Sequence, residues 1–506
     1  MNGATAIMES LRAAGVGVCF ANPGTSELHL TAALEDVPGL RPVLCLFEGV
    51  ATGAADGYGR MAGLPAVTLL HQGVGLANGL ANLHNAMRAA TPVVNLVGDG
   101  ATTHRGLGAP LESDVAALAA PMSCWTRTAT NAATAGEAAI AAVAAALGPP
   151  GGVATLIVPA DVAWSPAGRV ALPAAPVSRS PGSRSAGPIG PDTVLLLGGP
   201  ALLARGLAAA GRVARATGAL VLAQAFPGRL EQGAGVPAVD RLSGDPVGDR
   251  RRLAGHAHLV LAGASAPVAA FARPGMPGEL TPPGCVVERL DGDPVAALEE
   301  LADPGIRPAI RAAAPLPVRP ADTPLSATTV AEVVAAHLPD GAILVDEANT
   351  SGVALPAATA AAARHDLLTN SGFAIGLGLP MAAGAALACP DRPVICLEAD
   401  GSAMYTPSAL WTHAREGLDV TTIVLNNRGY AILRRESRRV LGDDAPSATS
   451  AMFDLSAPDL DFVALAMSMG VPAGRATTTG ELATRLKQAL AEPGPHLIDA
   501  VVPARY

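Results

Sequence analysis

The chain has 506 residues, half of them hydrophobic and only 15% charged, with a formal net charge of −9. Such a composition fills the cores of about two to four ordinary domains, and its acidic balance lacks the clustered basic face of a nucleic-acid binder. No unbroken run of about 18 apolar residues and no signal-peptide core occurs, and the six cysteines are scattered without a C-x-x-C pair, so a cytoplasmic protein with no membrane partner is expected.

Short Val/Leu/Ile runs alternate with alanine-rich helical stretches, which predicts an α/β fold of three domains with parallel sheets flanked by helices. Arg179–Asp192 and Asp303–Ser326 have linker composition and divide the chain into 1–165, 185–305 and 325–506. In the first segment PVLCLF runs into Glu48, which opens the helix-like EGVATGAADGYGRMAG. By position alone Glu48 is an acid favoured by a helix dipole. His71 ends the next strand-like run, VTLLH, and His104 follows VVNLVGD. Histidines at strand ends are ordinarily structural, but their near-neutral pKa suits proton transfer.

The middle segment reads strand–helix–strand from Thr193 to Phe226 and continues through HLVLAG and CVVERLDGDP. Its first strand is followed by Gly198-Gly199-Pro200 and not by G-x-G-x-x-G, so neither FAD nor another nucleotide is expected there. The last segment loosely repeats the first, each containing a helix, a turn, a strand and then polar residues, as a duplicated α/β fold would. Those polar residues fall where parallel sheets bind ligands, at the carboxyl ends of their strands.

PVICL ends in Asp400-Gly401-Ser402, after which Thr406 is expected to cap a helix that Gly417 ends. One crossover later VTTIVL delivers Asn426 and Asn427 to the same edge. A carboxylate, an amide oxygen and a nearby main-chain carbonyl are hard ligands that suit Mg²⁺ or Ca²⁺ and not zinc. Magnesium completes its shell with ligand phosphates, so this edge can hold a phosphate through a metal. Asp-Gly-Ser alone is an ordinary turn and Asn-Asn an ordinary strand end; the expectation rests on their combination.

Gly-Asp-Gly-Ser followed by Asn-Asn is the pattern of the thiamine-diphosphate-dependent 2-oxo acid decarboxylase and acetolactate synthase superfamily, which ADGS…NN resembles, with Ala399 in place of glycine. The resemblance covers nearly the whole chain, including FANPGTSELHL and LFEGVATGAADGYGRMAG, and is closest to benzoylformate decarboxylase and to proteins like the acetolactate synthase large subunit. It implies a pyrimidine-binding domain, a central Rossmann-like domain and a diphosphate-binding domain, in that order. It implies thiamine diphosphate and Mg²⁺, with Asp400, the Asn427 side chain and the Gly429 carbonyl on the metal. Asn349, Thr350, Gly401, Ser402 and Tyr430 would lie on the diphosphate. Phe373 stands where relatives often have a glycine that offers its carbonyl to the aminopyrimidine, and Ile375 where a bulky wedge bends the cofactor.

By the same resemblance Glu48 is the catalytic acid bonded to the pyrimidine N1′. Burial among Leu46, Phe47 and Val50 would favour its protonated form. His71 and His104 become candidates for proton transfer, Thr25 for a substrate contact, and Ile432 and Glu436 for the substrate's side chain. The stretch PVAAFARPGMPG lacks the second histidine of benzoylformate decarboxylase. Glu48 and Asp400 come from different subunits in the family, which implies a homodimer or a dimer of dimers.

The implied reaction is decarboxylation of a small-molecule 2-oxo acid through an enamine. The alternatives are an acetolactate-synthase-like carboligase and a non-catalytic cofactor-binding relative. A branched residue at 432 would narrow the pocket and an acid at 436 is costly to bury unpaired, so a small or polar 2-oxo acid is expected in preference to an aryl one. Arg434, Arg435, Arg438 and Arg439 read as a solvated face.

Overall fold

A computed structural model describes residues 1–148, 151–168, 187–310, 323–441 and 450–504. Parts of the two expected linkers, 179–186 and 311–322, lie outside the described residues. Three sheets follow one another along the chain. The first is parallel throughout and contains β1 (Val18–Asn22), β2 (Arg41–Leu44), β3 (Ala66–Leu70), β4 (Val93–Asp99), β5 (Trp125–Thr128) and β6 (Val153–Pro159), in the order β2-β1-β3-β4-β6-β5. Helices cover both faces, so β3 and β6 are buried at every position and read as continuous apolar runs.

The central sheet contains β7 (Thr193–Leu197), β8 (Leu220–Ala223), β10 (Asp240–Arg241), β11 (His258–Ala262) and β12 (Val286–Arg289), in the order β10-β8-β7-β11-β12. The strand between them in sequence, β9 (Arg229–Gln232), leaves this sheet. It pairs antiparallel with the edge of the third, which is otherwise parallel. That third sheet contains β13 (Ala342–Glu347), β14 (His365–Thr369), β15 (Val394–Ala399), β16 (Val420–Asn426), β17 (Ala473–Ala476) and β18 (His496–Val501), in the order β17-β18-β16-β15-β13-β14-β9. Without β9, its strands repeat the order of the first sheet, as a duplicated fold requires. Each of the two sheets reverses its winding at one place, between β1 and β3 and between β13 and β15, and such switch points open crevices at the carboxyl ends.

The two halves meet through equivalent helices, Glu48–Ala62 after β2 and Gly378–Ala388 after β14. They cross so closely that a Cβ on Gly57 would stand 2.1 Å from the Met381 carbonyl oxygen, and one on Gly384 would stand 1.8 Å from that of Ala54. No other residue fits at either position. One apolar core runs through the crossing, from Phe20 and Val97 in the first sheet to Val345 and Val424 in the third. The neighbouring helix Gln72–Arg88 adds polar ties, with Asn82 donating to the Gly376 carbonyl at 3.2 Å and Asn85 to that of Ala374 at 2.8 Å.

One helix start departs from expectation. Asp400–Ala403 is itself a helical turn, and the next helix begins at Ala409 after Ser408. Thr406 is not its cap, since the helix starts three residues further on, and its hydroxyl donates to the Gly376 carbonyl at 3.0 Å. Gly417, with φ 61°, ends that helix as expected. On the same helix His413 is buried with its ring 2.9 Å from the Leu379 carbonyl, and burial lowers its pKa to about 4. Among the described residues no helix is long and apolar enough to cross a membrane.

Replacing Gly384 by Leu is expected to cost about 1–3 kcal/mol or more, lowering the thermal unfolding midpoint. Gly63→Asn, at a left-handed helix end with open space around it, should change little. Equal shifts for the two variants would remove the crossing as the cause. His413 sets a second expectation. Its folded value lies below the ordinary 6.5, so the unfolded chain takes up the proton first. The stability it contributes is therefore full above pH 6.5 and is lost as pH falls towards 4, by about 3 kcal/mol. In His413→Gln, unfolding measured across this window should lose that part of its pH dependence.

Candidate active site

At the first switch point, β1 and β3 lie in register and deliver their following residues to one place. The turn Thr25–Glu27 follows β1, and His71 follows β3 as the residue preceding the helix Gln72–Arg88. Nδ1 of His71 stands 2.7 Å from Oε2 of Glu27, which also accepts the Gly24 N–H at 2.9 Å. Glu27 is fully buried. Burial pushes its pKa up, while His71 and the Gly24 N–H pull it back down. An ionised Glu27 places the His71 proton on Nδ1 and leaves Nε2 for exchange. Thr25 is exposed at the start of the same turn.

Glu48 opens its helix nearby in the sheet, its Oε2 accepting from Asn78 at 3.0 Å and its Oε1 lying against Gly75. Of its expected apolar neighbours, Val50 is buried, Phe47 is partly so, and Leu46 is half exposed. His104 stands exposed in the turn Thr102–His104 after β4. Among the described residues no hydrogen bond or ion pair joins its side chain to the Glu27–His71 pair.

At the other switch point β16, β15 and β13 are successive neighbours, so Asn427, Asp400 and Asn349 emerge together. Asp400 is buried, with Oδ1 accepting from the Gly401 N–H at 2.8 Å and Oδ2 from the Gly429 N–H at 3.2 Å. Burial raises its pKa, and the surrounding main-chain N–H groups lower it again. Asn349 donates to the Ser402 hydroxyl at 2.8 Å, and Asn427 approaches that of Ser351 at 3.5 Å. Thr350 lies in the turn Asn349–Gly352. The Tyr430 ring lies over Gly401, where a Cβ would meet it at 2.4 Å.

These donors are hard oxygens around one buried carboxylate, and the chemistry fits a divalent cation with a phosphate ligand. Among the described residues no three His, Cys, Asp or Glu side chains gather as a metal cage. A cation at Asp400 has to draw on the Asn427 amide, main-chain carbonyls and ligand oxygens. Asn349, Arg428 and Phe373 have φ of 52°, 57° and 64°, left-handed values that are strained for residues with a Cβ and gather at functional sites.

The loop before helix Gly378–Ala388 carries Phe373 and the half-buried Ile375. The Phe373 N–H donates to Asn370 at 2.9 Å, and Asn370 donates to Glu347 at 2.8 Å. The Phe373 ring meets Phe226 at 4.6 Å and Phe271 at 6.1 Å, both from the central segment. Ile432 and Glu436 lie one turn apart and half-buried on the helix Ala431–Leu441. Glu436 is not an unpaired acid, because Arg273 of the central segment stands 3.3 Å away and Arg439 3.1 Å. The expectation of a small or polar substrate loses the part that rested on an unpaired Glu436 and keeps the part that rested on Ile432. Arg434 bonds to the Phe453 and Ala504 carbonyls at 3.1 and 3.3 Å.

Sequence reasoning missed Glu27, Asn82, Asn85, Phe271 and Arg273. Glu27 lies two residues beyond Thr25 in the quoted NPGTSE, but nothing local joins it to a histidine 44 positions away.

Residues 1–118 match the thiamine pyrophosphate enzyme N-terminal binding domain and residues 363–500 the C-terminal one. The chain is 52% identical, across 100% of its length and 99% of the relative's, to a Mycobacterium tuberculosis protein provisionally named acetolactate synthase large subunit IlvX. It is 32% identical to the benzoylformate decarboxylase of Pseudomonas aeruginosa, over 98% of each chain. The structure of a thiamine diphosphate-dependent 4-hydroxybenzoylformate decarboxylase from Rhodococcus jostii superposes with a TM-score of 0.81 at 26% identity, covering 100% of this chain and 99% of the other. With both binding domains matched and the full length aligned, the chain belongs to the thiamine pyrophosphate enzyme family, which includes decarboxylases and acetolactate-synthase-like carboligases.

Proposed function

We propose that the chain decarboxylates a 2-oxo acid and protonates the product, using thiamine diphosphate held with Mg²⁺. The observation that carries this reading is the Glu27–His71 pair, a buried carboxylate bonded to an imidazole at a strand-end crevice. Such a pair can give a proton to the carbon that loses CO₂ and take one back from solvent. Bound thiamine diphosphate supplies the electron sink for that carbon.

Asp400, Asn427 and the Gly429 carbonyl would hold the metal, and Asn349, Thr350, Gly401, Ser402 and Tyr430 the diphosphate. The Phe373 carbonyl and Glu48 would hold the pyrimidine, and Ile375 would set its angle. Thr25 would take an oxygen of the substrate. His104, exposed on its loop, is left as a second proton donor for the same edge.

A homodimer is part of the proposal. Within one chain Glu48 bonds to Asn78, in its own segment. Leu28, Leu46, Val74 and Leu107 stay exposed around the first edge, and Val353, Met404 and Tyr405 around the other. Apolar rims of this kind mark subunit contacts, and a second copy turned by a two-fold axis covers both at once.

A second reading, carboligation to another carbonyl, is favoured by the name of the Mycobacterium tuberculosis relative. Incubation with pyruvate and benzoylformate, followed by product identification, separates the two. Aldehyde and CO₂ support the proposal, a hydroxyketone supports carboligation, and no CO₂ from either acid sinks both.

Asp400→Ala is expected to abolish calorimetric binding of thiamine diphosphate in the presence of Mg²⁺, because the diphosphate loses its metal bridge. Normal binding would remove Asp400 from the anchor. Glu48→Gln should bind the cofactor nearly as well yet slow the exchange of its C2 proton for deuterium by about 100-fold or more. An unchanged exchange rate would take Glu48 out of the proton transfers.

A further inference from the structure

We infer that Arg434 is a positioning residue for the turn at residues 427–430, holding the strained Arg428 backbone and the Gly429 carbonyl in place beside Asp400. The inference rests on the proposed reading of Asp400, Asn427 and Gly429 as metal ligands, and names the group that keeps them together. In sequence Arg434 is one of four arginines on a charged helix, but its surroundings set it apart. It lies in the first turn of the helix Ala431–Leu441, where a cation opposes the helix dipole. Its side chain is 28% exposed, against 50% for Arg435 and 47% for Arg439. Nη2 donates to the Phe453 carbonyl at 3.1 Å and approaches that of Arg428 at 3.5 Å, and Nη1 donates to that of Ala504 at 3.3 Å. The Asp454 carboxylate stands 3.8 Å away. One planar group thereby joins the turn, residues 453–454 and the tail at Ala504.

The turn needs such support. Arg428 has a φ of 57°, a left-handed backbone that persists only where its surroundings over-determine it. Its carbonyl takes the Leu455 N–H at 3.0 Å, and the Tyr430 N–H donates at 2.9 Å to the same Phe453 carbonyl that Arg434 holds. Gly429 and Asp454 form an antiparallel bridge between these bonds. The Val502 N–H donates to the Asn426 carbonyl at 3.0 Å, so the tail that Arg434 grips also holds the residue before Asn427. On the other side the Gly429 N–H donates to Oδ2 of Asp400 at 3.2 Å. A Cβ on Gly429 would stand 2.3 Å from Nη2 of Arg434 and 2.6 Å from the Phe453 carbonyl oxygen, so the guanidinium rests directly against this residue. The Gly429 carbonyl takes the Ala431 N–H at 3.0 Å and keeps a second lone pair for a cation. Magnesium tolerates little distortion of its ligands, so a turn released by loss of Arg434 binds it more weakly. Lysine is a poor substitute, because a single ammonium lacks the planar fork that reaches separate carbonyls.

The test uses full-length protein with saturating thiamine diphosphate, titrated with Mg²⁺ by calorimetry and with Mn²⁺ as a paramagnetic probe of the same site. Arg434→Gln is expected to raise the dissociation constant for Mg²⁺ by about 10-fold or more and to alter the spectrum of bound Mn²⁺. Arg434→Lys should recover only part of the affinity. Arg438→Gln, exposed on the same helix, should change neither reading. At saturating Mg²⁺ both Arg434 variants should regain the C2 proton exchange of the unaltered protein, because the residue acts on the metal turn and not on Glu48. Where Arg434→Gln does not fold, Arg434→Lys, which keeps the charge, carries the test. A lowered thermal midpoint with Mg²⁺ affinity and the Mn²⁺ spectrum unchanged makes the residue merely structural and overturns the inference. Thiamine diphosphate that binds the unaltered protein equally with and without Mg²⁺ sinks the metal reading, and the inference with it. A Mg²⁺ requirement that is intact and indifferent to both substitutions sinks the inference alone.

Discussion

The close crossing of helices Glu48–Ala62 and Gly378–Ala388 is the constraint that fixes how the first and third sheets of one chain sit against each other. Two glycines allow backbone to meet backbone there, and the placing of the loop before the second helix against the first follows from it. Glu48 is the first residue of one helix, and the loop with Phe373 and Ile375 leads into the first turn of the other. A thicker crossing would move both away from their neighbours together. The amides of Asn82 and Asn85 fix the same spacing a second time, by bonding to carbonyls of that loop. Packing sets the distance and hydrogen bonds set the register.

The fold and the polar strand ends at Asp400 and Asn427 were legible in sequence because their signals are local. Continuous apolar runs mark strands buried on both faces, and the repeated helix–turn–strand pattern corresponds to two sheets with one strand order. Asp400 and Asn427 announce themselves as polar ends of such runs on adjacent strands. What stayed hidden depends on distant partners. Glu27 and His71 meet only because β1 and β3 are neighbours in the sheet. Arg273 and Glu436 lie 163 positions apart, so Glu436 read as an isolated acid in sequence and is a paired one in the fold. The departure of β9 from its own sheet was equally invisible, since an edge strand of four residues carries no mark of which sheet it will join.

Thr406 shows how tertiary structure overrides a local signal. Threonine before proline suggests a helix cap, yet the Gly376 carbonyl lies within reach and has no helical partner of its own. The hydroxyl satisfies that carbonyl at 3.0 Å, and the helix begins three residues later. The same carbonyl also accepts from Asn82, so two segments far apart in sequence converge on one atom of the loop.

That loop is strained, and its strain is held by a buried acid. Phe373 adopts a left-handed backbone that costs about 1–3 kcal/mol for a residue with a Cβ. It persists because Glu347, fully buried on β13, grips both ends of the loop. One carboxylate oxygen accepts from Asn370 at 2.8 Å, and the other from the main-chain N–H groups of Leu377 and Gly378 at 2.8 and 2.6 Å. Glu398 faces it from the adjacent strand, in register with Glu347. Burial beside a second carboxyl raises the pKa of Glu398 well above the ordinary value, because two acids this close and this dry cannot both ionise. Burial pushes the pKa of Glu347 up as well, but its three donors pull it back down, so of the two acids Glu398 is the one held further from ionisation. The two strands that lead to Asn349 and Asp400 are thereby joined just beneath their carboxyl edge, and the loop over that edge is tied to the same carboxylate. Strain at Phe373 and order at Asp400 therefore share one support.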